Sequence, residues 1–413
     1  MAVKKTTAPA SKKGPSKTSI KRPPLDVKKI RDQVPAVKTT AYLNAGTNGP
    51  IPLVAQKALA DQMEKELEIG RIVPGVYEGN FKRNRANAAI AADLFGCHPD
   101  ELALSHSTGE GMNTILNGIL WQPGDEVLTT NLEHPCLINP LNLLSHRQGI
   151  VTRYADIGNG GGNILAALEP MVTSRTRVIA ISHVQWSTGA VMPLKEIAAY
   201  CRKLGIILLV DGAQSAGQIA INLHDLGVDA YAMPGQKWLC GPESTGFLYV
   251  RKDRFPDIQP TFIRYAQFDT TGYLVPNATA ARFELGEFFA PAIEAQMATL
   301  TWLRDEVGMD RAYARIAELG QRAHAGLSKI KDVTVLTPKN KMAGLVNFST
   351  PIMRPQDIAA KLFERGITIR YVDVRPCPPT ARVATGWWNT EAEIDRFVKE
   401  TAAVIAEARA EKK

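Results

Sequence analysis

The segment from Gly205 to Pro242 constrains the fold more than any other part of the chain. Ile206 to Val210 is an unbroken apolar run that ends at Asp211. Such a run is typical of a strand buried on both faces, and it predicts the parallel sheet of an α/β protein. Open α/β sheets bind ligands at the carboxyl ends of their strands, where Asp211 is expected. Lys237 follows the next apolar run, Tyr231 to Met233, and is not expected to be a solvated surface charge.

Asp211 and Lys237 together fit the chemistry of one cofactor. Pyridoxal phosphate binds as a Schiff base to a lysine, and a carboxylate keeps its ring nitrogen protonated so that the ring can accept electrons. Gln214 lies three residues after Asp211, where its amide can be directed at the ring hydroxyl. The alternative interpretation is a buried Asp–Lys ion pair in an ordinary α/β core.

Two other predicted strands also end in polar side chains. Leu102 to Ser105 runs into Ser107 and Thr108, just before a helical segment. A Ser-Thr-Gly turn at a helix N-terminus presents backbone amides and two hydroxyls, which suits a phosphate group. The alternative is an ordinary helix cap, since Ser and Thr are favoured there in any case. His134 follows the predicted strand Val127 to Thr130 and is expected to point into the ligand crevice.

Two sequence motifs carry a resemblance to a known family. Val-Asp-Gly-Ala-Gln-Ser-Ala-Gly, beginning at Val210, and Gly-Gln-Lys-Trp-Leu-Cys-Gly-Pro, beginning at Gly235, closely resemble the class V aminotransferase superfamily of fold-type I enzymes. This group holds cysteine desulfurases, cystine lyases and isopenicillin-N-epimerase-like proteins. The resemblance runs from about Tyr42 to the C-terminus. It implies a mainly parallel, seven-stranded-type sheet in a large domain and a small α+β C-terminal domain.

The resemblance also implies roles for the residues around the cofactor. Lys237 would form the Schiff base and then act as the base at the substrate α-carbon. Asp211 would maintain the electron sink, and Gln214 would tune the ring oxygen. His134 would stack on the ring and help to move protons, for which the near-neutral pKa of an imidazole is suited.

The phosphate contacts implied by the resemblance differ in part from the family pattern. Ser107, Thr108 and Gln236 would hold the phosphate. Histidine is usual in the family where this chain has Gln236, and a hydroxyl residue is usual where it has Pro234. Gln236 can still hydrogen-bond a phosphate oxygen, but as a neutral group.

The substrate site implied by the resemblance draws on several parts of the chain. Arg382 would clamp the substrate carboxylate, because a guanidinium group fits a carboxylate better than lysine does. Arg370 is a second candidate for the same task. Asn44 lies in segment 42–50, which borders the substrate pocket in the family. Trp186 stands where many desulfurases carry a substrate-binding asparagine, and this tryptophan resembles the cystine-lyase branch.

Cys377 lies on a proline-rich loop, residues 371–379. In cysteine desulfurases a mobile-loop cysteine attacks the substrate sulfur and carries the persulfide, so the resemblance makes Cys377 a candidate nucleophile. Its proline neighbours stiffen the loop, however, and the gap to Arg382 is shorter than in typical desulfurases. A bystander role stays open, because the cofactor can also support elimination of the β-substituent after removal of the α-proton.

A basic segment precedes the part that is expected to fold. Residues 1–31 carry ten Lys or Arg and one acid, a net charge of +9, whereas the whole chain carries +8 and the remainder therefore −1. The segment is rich in Pro, Ser, Thr and Ala, which predicts disorder over residues 1–35. Its charge allows a weak, salt-sensitive attraction to nucleic acid but identifies no partner.

Composition excludes several other classes of protein. No apolar run approaches the roughly eighteen residues needed to cross a bilayer, so no membrane association is expected. The five cysteines are scattered and form no CxxC motif, which argues against a disulfide framework and a zinc site. Reduced thiols of this kind predict a cytoplasmic location.

These observations together predict an architecture and a reaction. We expect a large cofactor-binding domain over residues 36–285 and a small α+β domain over residues 286–413. The predicted reaction is C–S bond cleavage in a sulfur-containing amino acid. The alternative is epimerisation or transamination of an amino acid on the same fold. A homodimer follows from the resemblance, since sites in the family are completed across the dimer interface.

Overall fold

A computed structural model describes residues 24–263 and 277–412 of the chain. The strands of this part are β1 (Ala41–Tyr42), β2 (Leu102–Ser105), β3 (Glu126–Thr130), β4 (Val151–Ala155), β5 (Thr176–Ser182), β6 (Ile207–Asp211), β7 (Ala230–Pro234), β8 (Gly246–Val250), β9 (Thr334–Val335), β10 (Leu345–Ser349), β11 (Ile367–Thr368), β12 (Arg370–Val372) and β13 (Thr380–Ala384). The α-helices are α1 (Val27–Asp32), α2 (Leu53–Ile69), α3 (Tyr77–Phe95), α4 (Thr108–Gly118), α5 (Pro135–Gln148), α6 (Ile164–Leu168), α7 (Leu194–Leu204), α8 (Leu223–Leu226), α9 (Ala290–Trp302), α10 (Met309–Leu327), α11 (Pro355–Glu364) and α12 (Glu391–Glu411).

A seven-stranded sheet in the order β2-β8-β7-β6-β5-β3-β4 forms the centre of the large domain. Strand β8 runs antiparallel to both of its neighbours, and the other pairs in the sheet are parallel. Strands and helices alternate along this part of the chain, as expected for a doubly wound sheet. The mainly parallel sheet predicted from the sequence is therefore present.

Both faces of this sheet are buried. In β6, Leu208 and Val210 belong to one hydrophobic cluster, whereas Ile207 and Leu209 belong to another. Successive side chains of a strand point to opposite faces, so these two clusters lie on the two sides of the sheet. Helices α3 and α7 contribute to the first cluster, and α4 and α5 to the second. This double burial explains why the strand is an unbroken apolar run.

The parallel strands bring the predicted site residues to one edge of the sheet. Strand β6 ends at Asp211, and β7 ends shortly before Lys237. Strand β3 ends shortly before His134, and β5 shortly before Trp186. Because carboxyl ends of parallel strands meet at the same edge, residues far apart in sequence become neighbours there.

A second, smaller sheet lies in the C-terminal lobe. Its order is β12-β13-β10-β9, with antiparallel pairs throughout. Phe348 of β10, Leu362 of α11 and Phe397 of α12 share one buried cluster beneath it. An antiparallel sheet covered by helices is the α+β arrangement predicted for the C-terminal part of the chain.

The first described residues depart from two expectations about the N-terminal part. Residues 1–35 are predicted to be disordered, but Val27–Asp32 forms α1, where Ile30 is buried and Arg31 forms an ion pair with Glu393. The basic composition of the segment hid this short helix. Its ion-pair partner, Glu393, lies in the C-terminal lobe, so the local sequence gives no sign of the contact. Strand β1 falls within the predicted large domain, yet it pairs in parallel with β11. The predictions made for residues 1–23 lie outside the described residues.

Within residues 24–263 and 277–412, none of the helices combines the length and the apolar character that crossing a bilayer requires.

Candidate active site

A cavity of about 440 Å³ opens at the carboxyl edge of the large sheet, where the C-terminal lobe meets it. Both lobes and segment 42–50 contribute to its walls. The side chains and backbone that line it come from Gly46, Thr47, His134, Trp186, Gln214, Lys237, Arg370, Tyr371, Val372, Asp373, Val374 and Arg382.

Asp211 lies at the carboxyl end of β6 with only 2% of its surface exposed. Its Oδ1 accepts a hydrogen bond from the backbone amide of Ala213 at 2.8 Å, and its Oδ2 accepts one from Cys136 Sγ at 3.3 Å. No arginine or lysine forms an ion pair with this carboxylate among the described residues. A buried carboxylate held in this way can keep a proton on a ring nitrogen beside it.

Lys237 lies between β7 and β8 and lines the cavity. Burial lowers the pKa of its ammonium group, and the Asp211 carboxylate partly opposes that shift. The backbone around it is tightly packed, since a Cβ added at Gly49 would lie 2.1 Å from the Lys237 carbonyl oxygen. Gly49 therefore permits segment 42–50 to approach the lysine closely. A lysine with a lowered pKa is suited to form a Schiff base and to accept a proton.

Gln214 lies near Asp211 and also lines the cavity. Its Nε2 donates to the Gly46 carbonyl at 2.8 Å, and its Oε1 accepts from Trp238 Nε1 at 3.1 Å. These bonds fix the orientation of the amide. One of its two N–H donors is used by Gly46, so the predicted contact with a ring hydroxyl falls to the other.

His134 and Trp186 form an aromatic pair on the cavity wall. Their ring centroids are 4.6 Å apart, with an interplanar angle of 77°. His134 Nδ1 accepts from the Cys136 backbone amide at 3.1 Å, so a neutral ring carries its hydrogen on Nε2. Burial lowers the pKa of His134 to about 4, and the positive charges of Lys237 and Arg382 contribute to that shift. Burial therefore favours the neutral ring at neutral pH, and the role of His134 in moving protons stays a prediction.

The predicted phosphate site lies at the start of α4. Ser107 is the helix cap, because its Oγ accepts from the Glu110 amide at 3.1 Å, and a hydroxyl in this role can still donate its own hydrogen. Thr108 Oγ1 is buried and has no hydrogen-bond partner among the described residues, and the same holds for Gln236 Oε1. The first amides of an α-helix also lack partners within the helix. The hydroxyls of Ser107 and Thr108 and these amides are donors that fit a phosphate, whereas Gln236 could donate to it only through its Nε2. The residues present therefore fit pyridoxal phosphate.

Arg382 is placed to bind an anion. It lies on β13, directly opposite Arg370 of β12, and only 3% of its surface is exposed. Burial lowers the pKa of Arg382 to about 10, and the charge of Arg370 adds to that effect. Its Nη2 donates to Thr47 Oγ1 at 3.0 Å, whereas its Nε has no partner among the described residues. Two cations opposite each other destabilise a sheet unless an anion joins them, and a substrate carboxylate is such an anion.

The other predicted substrate residues differ in their placement. Arg370 lines the cavity, with its guanidinium carbon 4.9 Å from the Tyr371 ring centroid. Asn44 is not among the cavity-lining residues that the structure describes, and its Oδ1 accepts from Thr47 Oγ1 at 2.8 Å. Asn44 therefore supports Thr47, which lines the cavity, and does not line the cavity itself. The sequence did not identify Thr47 as a site residue. Thr47 lies between Gly46 and Gly49 in the turn, and the sequence gave no signal that separated it from its neighbours.

The structure does not bring Cys377 to the described wall of the cavity. The residue is 3% exposed and packs in a small apolar cluster with Trp186 and Val372. Its Sγ lies 3.9 Å from the Glu133 carbonyl oxygen, and burial raises the pKa of its thiol. Because the thiolate is the nucleophilic form, this environment favours the bystander role over the predicted nucleophile.

Solved structures show the class of fold to which this arrangement belongs. The cystine C–S lyase C-DES, in complex with its reaction product cysteine persulfide, matches with a TM-score of 0.84 at 28% identity, covering 90% of this chain and 99% of that one. A mutant of C-DES with glycine covalently linked to its pyridoxal phosphate cofactor also matches with a TM-score of 0.84. The predicted fold-type I class is confirmed.

The sequence comparison gives the family. Residues 82–397 match the sequence model of the aminotransferase class-V family, and the chain belongs to that family. A probable cysteine desulfurase of Methanothermobacter thermautotrophicus is 26% identical over 91% of this chain and 97% of its own length. The isopenicillin N epimerase of Streptomyces clavuligerus is 28% identical over 89% of this chain and 96% of its own length. These matches support the prediction of a pyridoxal-phosphate-dependent enzyme.

Proposed function

We propose that this chain is a pyridoxal-phosphate-dependent enzyme that cleaves the C–S bond of a sulfur-containing amino acid. The observation that carries the proposal is that Lys237 and Arg382 line one cavity, with the buried Asp211 carboxylate close enough to Lys237 for its charge to act on the ammonium group. A buried carboxylate, a lysine of lowered pKa and a buried arginine supply the contacts that a cofactor ring and an amino-acid carboxylate require. The likeness to a cystine C–S lyase and to a probable cysteine desulfurase supports the choice of reaction.

The cofactor site would be held by residues of the large domain. When bound, pyridoxal phosphate supplies an aldehyde that binds amines and a ring that accepts an electron pair from the α-carbon. Lys237 would bind the aldehyde, and Asp211 would hold a proton at the ring nitrogen. Ser107, Thr108 and Gln236 would hold the phosphate. His134 and Trp186 would cover the ring and exclude water.

The substrate amine would replace that of Lys237 on the aldehyde, which would free Lys237 as a base. The substrate would be oriented by Arg382 and would then lose its α-proton to Lys237. Burial lowers the pKa of Lys237, so a larger share of its amine is free to take a proton at neutral pH. Once the α-proton has moved to Lys237 Nζ, the C–S bond can break, and its electron pair leaves on sulfur. From cystine, the leaving group is cysteine persulfide, and addition of water to the remaining fragment gives pyruvate and ammonia.

A product assay tests this proposal. The purified enzyme would be supplied with L-cysteine or L-cystine, and sulfide, persulfide, pyruvate and alanine would be measured. Release of sulfur with pyruvate indicates a lyase, and release with alanine indicates a desulfurase. The likeness to an isopenicillin N epimerase favours epimerisation as the second candidate. Exchange of the α-proton with deuterated water, with inversion and without release of sulfur, would establish that alternative instead.

Replacement of Cys377 by alanine is expected to leave most C–S cleavage intact. The thiol is buried against Trp186 and the Glu133 carbonyl, so its loss should cost about 1 kcal/mol of stability rather than a catalytic group. Steady-state rates of sulfur release and a thermal melt check this result. A loss of sulfur release with normal α-proton exchange would show that Cys377 is the nucleophile after all.

We also infer a homodimer in the cytoplasm, with a large domain over residues 36–285 and a small one over residues 286–413. Exposed apolar side chains around α2 and α3 support a covering partner: Leu67 is 86% exposed and Ile72 is 87% exposed. All five cysteines are free, which supports a reducing compartment. Light scattering is expected to give twice the mass of the chain, and a value equal to one chain would contradict the dimer.

A further inference from the structure

Glu133 is a buried carboxylate with an unusually complete set of hydrogen bonds. Its Oε1 accepts from Thr130 Oγ1 at 2.7 Å and from Gln185 Nε2 at 2.9 Å. Its Oε2 accepts from the Ser182 amide at 2.9 Å and from Ser182 Oγ at 2.5 Å. One side chain thus joins the end of β3, the end of β5 and the segment that follows β5.

Glu133 and one of its partners, Gln185, are the chain neighbours of the aromatic pair of the cavity. His134 follows Glu133 in the chain, and Trp186 follows Gln185. The Glu133 carbonyl also accepts from Cys377 Sγ, and Cys377 packs against Trp186. We propose that Glu133 is a positioning residue that holds His134 and Trp186 against the cavity and thereby fixes where the substrate lies. It would act through these two rings and not on the substrate itself.

The hydrogen bonds around Glu133 allow two arrangements that differ by one proton. The charged carboxylate accepts from all four donors, but a protonated carboxyl needs an acceptor for its own hydrogen. Gln185 Oε1 is buried and has no partner among the described residues. Rotation of the Gln185 amide would turn this oxygen toward Glu133 Oε1 and provide that acceptor. Such a rotation takes place one residue from Trp186, so the ring should respond to the charge of Glu133.

The titratable groups that face Glu133 come from three other elements. Asp211 lies at the end of β6, Cys136 lies in the first turn of α5, and Cys377 lies in the loop after β12. Burial raises the pKa of Glu133 to about 7, and the negative charge of Asp211 adds to the rise. The hydrogen bonds from Ser182, Gln185 and Thr130 oppose it. The carboxyl therefore changes charge near neutral pH, well above the pKa of about 4 for His134.

Linkage gives the sign of the effect on stability. The pKa of Glu133 is raised from an ordinary value of 4.5 to about 7, so the folded chain binds more protons than the unfolded chain between these values. The contribution of Glu133 to the free energy of unfolding is therefore fully present below about pH 4.5 and is lost as the pH rises through about 7. Glu133→Gln should remove this pH dependence of the free energy of unfolding while keeping the shape of the side chain.

The test follows the Trp186 signal in the full-length protein as purified, with no amino acid added. The fluorescence of the Trp186→Phe variant is subtracted from that of the parent protein at each pH between about 5.5 and 8.5, a range in which an unperturbed carboxylate keeps its charge. We expect a one-proton change with its midpoint near pH 7, as for Glu133. In Glu133→Gln the change should be absent. A step that persists in Glu133→Gln, or that is missing in the parent protein, would overturn the proposal.

Glu126 provides a control at the start of β3, the strand that precedes Glu133 in the chain. It begins β3 at the opposite edge of the sheet, is 9% exposed, and accepts from Thr173 Oγ1 at 2.7 Å and Thr176 Oγ1 at 3.2 Å. Unlike Glu133, Glu126 also forms an ion pair with Arg153 at 3.4 Å. Glu126→Gln removes a carboxylate charge far along the strand from the cavity, and it should keep the Trp186 step. If Glu133→Gln does not fold, Ser182→Ala is used instead. Loss of a hydrogen bond to the carboxylate should move the midpoint to higher pH, and an unchanged midpoint would contradict the proposal.

A second arm measures turnover, and it alone rests on the proposed C–S cleavage. Misplacement of the aromatic pair in Glu133→Gln is expected to lower kcat/KM for L-cystine roughly tenfold, mainly through KM, because small errors in substrate placement are costly. Glu126→Gln should leave kcat/KM within about twofold, as expected for a change away from the site. If no variant or parent protein turns over L-cystine, the proposed reaction fails, whereas the Trp186 result still decides the role of Glu133.

Discussion

Replacement of Lys237 by alanine is expected to lower C–S cleavage by roughly 10⁴-fold, the upper range for loss of a positioned base. The lysine is the one side chain in the proposed mechanism that both binds the cofactor and takes the α-proton. Its lowered pKa depends on burial at the cavity, so a lysine elsewhere cannot replace it. Single-turnover release of sulfur from L-cystine measures the loss.

A matched control for this change is Lys203→Ala, which removes an exposed lysine in the last turn of α7. This variant should retain the parent rate, since surface substitutions of this kind have small effects. Addition of methylamine to Lys237→Ala should restore part of the proton transfer. Retention of a rate within about tenfold of the parent by Lys237→Ala would contradict the assignment of the base.

Replacement of Arg382 by glutamine is expected to lower kcat/KM by roughly 10²-fold, which corresponds to about 3 kcal/mol for a lost hydrogen-bonded charge. The loss should appear mainly in KM, because the guanidinium binds the carboxylate in the ground state as well as in the transition state. Steady-state kinetics over a range of L-cystine concentrations separates the two constants. Arg382→Lys should recover only part of the loss, since an ammonium group cannot bind a carboxylate in the same bidentate way.

Stability distinguishes this binding role from a structural one. Arg382 is buried opposite Arg370 and forms one hydrogen bond with Thr47. Loss of that bond is offset by removal of an uncompensated buried charge, so the free energy of unfolding in Arg382→Gln should fall by no more than about 1 kcal/mol. Arg370→Gln serves as the comparison and should lower kcat/KM less. A strongly destabilised Arg382→Gln with an unchanged KM would contradict the account.

The part of the fold that sequence could predict is the part with a strong local pattern. Ile206 to Val210 shows its double burial directly, because both faces of β6 pack against helices. Asp211 and Lys237 could be placed at one edge because strand ends determine their positions. In contrast, β1 has two residues and pairs with a strand more than three hundred residues away, for which the sequence holds no local signal.

The sequence predicted the identity of the site residues better than it predicted their electrostatic environment. The low pKa of His134 arises from burial and from two cations that lie far away in the chain, Lys237 and Arg382. The burial of Cys377 depends on contact with Trp186, which a loop rich in proline does not reveal. Glu133 adjoins His134 in the sequence, but its role becomes visible only when Ser182 and Gln185 are brought to it.

Covalent attachment of the cofactor at Lys237 is the point on which the proposed function depends. Borohydride reduction of the protein loaded with pyridoxal phosphate, followed by mass spectrometry of its peptides, locates that attachment. The expected result is an added pyridoxyl phosphate mass on the peptide containing Lys237, together with a visible absorbance band that changes when L-cystine is added. Lys237→Ala should lack both. Absence of the band in the parent protein, or attachment at a different lysine, would contradict the proposed active site.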